Sequence, residues 1–225
     1  MIKVNDFFAE NASDRWFSKS YGRTDPVHDK LKSAGFSIVD RERLGTDYKD
    51  MMAPFDIVDL AFGAKVPVPP SGFRTAMMLG QTFHLKKAEK EGVCMKDVLD
   101  EWMQLLRGDE KYIMSLVPKT YLFATSSSVS FDDIENITMS WRIDCYIGVF
   151  DSTHEIVFAY NEEWGMVYVG FATSNVPPQF DLVRDVFEAK TRSGYVEANL
   201  SVTAAQRERV EEYYQKVVIP VMERG

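Results

Sequence analysis

HEIVFAYNEEWGMVYVGF, residues 154–171, decides how this chain is read. Two apolar runs, rich in β-branched and aromatic residues, flank Asn161, Glu162, Glu163, Trp164 and Gly165. Runs of that length bounded by turn residues read as strands, and a gap of three to five residues with a glycine reads as a hairpin loop. The stretch therefore predicts two antiparallel strands whose tip carries two acids and an indole. Gly165 supplies the positive φ that a bulge beside such a loop requires. As structure, Glu162 and Glu163 need only keep the tip solvated.

Upstream, TMSWRIDCYIGVF (138–150) alternates with a period of two. Trp141, Ile143, Cys145, Ile147 and Val149 share one face, and Arg142, Asp144, Tyr146 and Gly148 the other. DSTH (151–154) is turn chemistry between this strand and the next. KTYLFATSS (119–127) adds a further β-rich run, and Ser130 with Asp133 stands in capping-box relation. An antiparallel β-meander is thus expected over about residues 118–171, with a candidate edge strand near 194–200.

The rest reads mainly as helix. Asp25-Pro26 opens a short helix that Gly35 closes. APFDIVDLAFGA (53–64) suggests another, stopped by Gly63. KVPVPPSG (65–72) has three prolines in four positions, which argues for a linker-like segment without regular structure. Residues 73–91 and 93–107 read as a helical hairpin about Gly92, the second helix apolar on a face wide enough for packing on two sides. At the C-terminal end, Phe180, Val183 and Phe187 form one stripe. Thr203 with Gln206 makes a capping box, and Val210, Tyr213, Tyr214, Val217 and Val221 carry a stripe onward until Pro220 shortens the helix. Helices, then meander, then helices give α+β rather than alternating α/β. One domain is expected over residues 1–225, helical to about 115 and β-rich with C-terminal helices from about 116. The N-terminal helices and the C-terminal helix are expected to cover one face of the sheet.

With 225 residues, 45% hydrophobic and 27% charged, the chain is ordinary in composition and long enough to fold without staples. No run of about 18 apolar residues exists, so no membrane partner is expected. The first residues, MIKVNDFFAE, lack an apolar leader core. Cys94 and Cys145 sit among apolar neighbours and read as buried free thiols, so the expected location is cytoplasmic. Acids outnumber basic residues 34 to 26, a net charge of −8 that opposes nucleic-acid binding.

Tests for chemistry exclude several classes. The chain has no phosphate-binding G-x-x-x-x-G-K-[ST] loop, no dinucleotide G-x-G-x-x-G, no G-x-S-x-G elbow, no H-E-x-x-H and no EF-hand loop. No cofactor and no metal are expected. Of the three histidines, His28 and His84 read as helix-surface residues, while His154 lies beside Glu155 and near Asp151, where carboxylates favour its charged form. If the strands pair about DSTH, Asp144 and Glu155 fall near opposite positions. Asp144, His154 and Glu155 therefore make an alternative catalytic set for an enzyme acting on a small polar substrate. The same residues equally form an Arg–acid ladder on a solvated face.

Aromatics make up 13% of the chain. Trp164 at the tip, with Tyr160 and Tyr168 on the adjoining strands and Glu162 and Glu163 beside it, has the character of an interface anchor edged by acids. The favoured expectation is a non-catalytic intracellular protein-binding module with a protein partner. One concrete form is an immunity or antitoxin-type inhibitor of a basic partner.

Overall fold

A computed structural model of the chain describes residues 2–3, 32–39, 54–61, 65–79, 95–117, 121–134, 146–161, 166–172, 176–177, 180–181, 184 and 204–224. Ten strands are formed among them: β1 Ile2–Lys3, β2 Ser37–Ile38, β3 Asp56–Asp59, β4 Lys65–Val68 and β5 Arg74–Leu79, then β6 Lys111–Val117, β7 Tyr121–Thr125, β8 Tyr146–Asp151, β9 Ile156–Asn161 and β10 Met166–Phe171. Three helical segments longer than a single turn join them: α1 Met95–Met103, α2 Ala204–Tyr213 and a π-helical turn, Tyr214–Val218, that runs on into the short α3 Ile219–Met222. The chain is an α+β protein built on an antiparallel sheet.

Seven strands form the main sheet, in the order β2-β7-β6-β8-β9-β10-β5, and β1-β3-β4 form a second, smaller one. All pairings are antiparallel, and β8, β9 and β10 are sequential neighbours, as the alternation and turn residues predict. Asn161 pairs with Met166, so a four-residue connection closes the β9–β10 hairpin.

The main sheet is covered on both faces. On one, Val98, Leu99, Trp102 and Met103 of α1 pack on Ile113, Phe123, Ile147, Val149, Phe158 and Val169. Trp102 meets Phe171 edge-on at 5.2 Å and stacks on Phe180 at 6.0 Å. On the other, Ile57, Val66 and Val68 of the small sheet share a cluster with Tyr112, Met114, Phe150, Val157 and Tyr168, beside Tyr213, Val217, Val218 and Val221. The expectation that all helices cover one face is corrected: α1 and the C-terminal helix lie on opposite sides. Helix α1 itself is apolar on one side only, since Asp97, Glu101 and Gln104 are exposed.

Four further expectations are overturned. The segment read as helix at 53–64 contains β3, and the start of the helix read at 73–91 is β5. KVPV, read as irregular, is β4, with Pro67 opposite Ile57. Proline lacks the donor a central strand needs, but β4 ends its sheet and has only one neighbour to satisfy. Beyond it, Phe73 N donates to Pro70 O at 3.2 Å across a turn in which Gly72 takes φ +104°, a conformation that favours glycine. Pro220 does not stop the last helix. Its ring would crowd the carbonyl of residue 216 and it cannot donate back to it. The π turn widens the helix just there, with Ile219 N bonded to Tyr214 O.

Several local readings hold. Gly35 takes φ +88° and its N–H closes onto Lys32 O at 3.1 Å, the expected helix stop. Asp133 Oδ2 accepts from Ser130 N at 2.8 Å and Ser130 Oγ at 3.0 Å, the acid reaching back as a capping box demands. Phe131 N then donates to Asp100 Oδ1 at 2.8 Å, tying that turn to α1. The edge strand near 194–200, Gly92 and residues 80–91 lie outside the described residues.

The two sheets meet where Gly148 lies under Phe55. A Cβ at 148 would stand 2.8 Å from the Phe55 ring and 3.0 Å from Met114 Cε. Phe55 is 1% exposed and sits edge-on to Phe150 at 5.8 Å, so neither ring has room to retreat. Gly148→Ala is expected to destabilise the fold by about 2 kcal/mol through overpacking. Urea unfolding measures it; a variant as stable as the parent would show that the small sheet yields.

Candidate functional site

The main sheet presents two ends at which loops gather, and the sequence-predicted site residues divide between them. At one end Tyr146, Asn161, Met166 and Leu79 stand in a row across β8, β9, β10 and β5. Glu162, Glu163, Trp164 and Gly165 connect Asn161 to Met166 and lie outside the described residues. Their two anchors do not: Asn161 is 1% exposed and Met166 is fully buried.

The tyrosines expected beside this tip are placed on opposite faces. Tyr160 is half-buried on the α1 side, edge-on to Phe131 at 6.0 Å. Tyr168 is fully buried on the other side, and its hydroxyl is hydrogen-bonded to that of Tyr213. Tyr168 is therefore a core residue and not part of an accessible aromatic surface. The reason is that both faces of β10 are covered, so MVYVGF is buried at every position. Asn161 Nδ2 donates to the same Tyr213 hydroxyl at 3.3 Å, a partner 52 residues away.

At the opposite end the chain turns from β8 to β9 through Asp151–Glu155. Asp151 is 1% exposed. Its Oδ2 accepts Gly108 N at 2.7 Å, and its Oδ1 accepts Thr153 N at 2.9 Å together with the Thr153 hydroxyl. An aspartate accepting from the backbone two residues on is an Asx turn, and the D-x-T spacing was its signal. The sequence suggested Asp151 as a charge beside His154; the structure makes it a clamp between two loops. His154 takes φ +55°, donates its backbone N–H to Asp151 O at 3.2 Å and lies edge-on to Phe150 at 5.8 Å. Glu155 is exposed, and its carbonyl accepts Ala172 N at 2.8 Å.

The β8–β9 ladder runs from Tyr146↔Asn161 to Phe150↔Val157. Glu155 thus stands at its turn end, while Asp144 precedes the other end, outside the described residues. Cys94, Cys145, His28 and His84 also lie outside them. Among the described residues no three His, Cys, Asp or Glu side chains converge as metal ligands, and no helix is long and apolar enough to cross a membrane.

The C-terminal helix is fixed to the small sheet by charged groups that sequence reasoning did not single out. Glu212 Oε1 accepts Lys216 Nζ at 2.6 Å and Ala61 N at 2.8 Å, and these two partners hold its carboxyl below the usual carboxylate range. Arg224 Nη1 donates to Pro69 O at 2.6 Å, with Asp56 Oδ2 at 3.8 Å. Only the i,i+4 spacing of Glu212 and Lys216 was visible in the sequence. No protein-family model, curated protein or solved structure matches the chain.

Proposed function

We propose that this protein is an intracellular, cytoplasmic binding module that captures a basic protein partner through the acidic, indole-bearing connection between β9 and β10. The observation that carries the reading is the hairpin itself. Two acids and a tryptophan occupy a four-residue link whose flanking residues, Asn161 and Met166, are paired with each other and buried. Both faces of the main sheet are occupied by packing, so a partner reaches this part of the fold through its ends and edges. A net charge of −8 favours encounter with a cationic surface, and an indole supplies contact area at small conformational cost. An immunity or antitoxin-type inhibitor would have these properties.

Affinity capture from native lysate, with mass spectrometry of the retained proteins, identifies the partner. Charge reversal at Glu162 and Glu163 to lysine is then expected to slow association about tenfold at low ionic strength, with a much smaller change in dissociation. Surface-binding kinetics at two salt concentrations measure both rates. Unchanged association at low salt would reject the tip as the binding element.

A further inference from the structure

We draw no further inference here: the strongest candidate, the Arg107-Gly108-Asp109 turn at the end of the main sheet opposite the β9–β10 link, exposes one charge of each sign but keeps Gly108 buried against Ser152, and nothing in the structure shows what would cover it.

Discussion

Asp151→Ala is expected to lower the unfolding free energy by about 3 kcal/mol. Three donors lose their acceptor at once: Gly108 N, Thr153 N and the Thr153 hydroxyl. Gly108 is itself buried, and a Cβ there would stand 2.5 Å from Ser152 Oγ and 2.9 Å from Ser152 N, so the two loops are already in contact. Water therefore has little room to replace the carboxylate, and the orphaned backbone donor carries the larger part of the cost. In a chain of this length the change corresponds to a fall of roughly 6–12 °C in thermal midpoint. Asp151→Asn keeps the volume and one acceptor oxygen but turns an NH2 group toward donors, so it should recover only part of the loss. Urea unfolding should show a lower midpoint at unchanged slope, as expected when stability alone changes. A midpoint within error of the parent would mean that the clamp is incidental.

Trp102→Ala should cost more, about 4 kcal/mol, because it removes the largest side chain that α1 places on the sheet. The indole is 3% exposed and touches Phe171 of β10 and Phe180 at once. Those rings come from the end of β10 and the segment just after it and also touch each other at 5.5 Å, so collapse around the void requires α1 to move toward the sheet. The remaining grip of α1 includes the apolar set Val98, Leu99 and Met103, the Asp100 bond to Phe131 N and the Lys96–Asp132 ion pair. Loss of near-ultraviolet circular dichroism and a lower urea midpoint are the expected signatures. A loss below about 1 kcal/mol would show that α1 is only loosely applied to its face.

These two residues mark what a sequence yields and what it withholds. The strands from 146 to 171 were legible because β-branched and aromatic residues cluster between turn signals, and that local chemistry survives into the fold. Asp151 showed its turn but not its burial, since Gly108 comes from a loop 43 residues earlier. Strand β5 was hidden for a different reason. Thr75, Ala76 and Met77 are all buried, and a strand covered on both faces lacks the polar alternation that distinguishes it from an apolar helix. Pro67 misled because exclusion from strands applies to central positions, and edge position is a property of topology. The second covered face has the same origin: Gly148 reads as a gap in the alternation of β8 until Phe55 is seen to fill it. At the candidate site the hairpin was foreseen, whereas the burial of Tyr168 and its tie to Tyr213 depended on which helix lay behind the sheet.

The π turn at Tyr214–Val218 sets a phase for everything after it. Tyr213, Val217 and Val218 all point inward, and Val221 and Met222 carry the buried side on to the chain end. A regular α-helix advances about 100° per residue, so losing one residue from this turn would rotate the chain end by about that angle. Arg224 would then swing away from the Pro69 carbonyl, and the apolar side would turn partly off its packing surface. In this segment residue number matters as much as residue type: a one-residue deletion would be felt more severely than many substitutions.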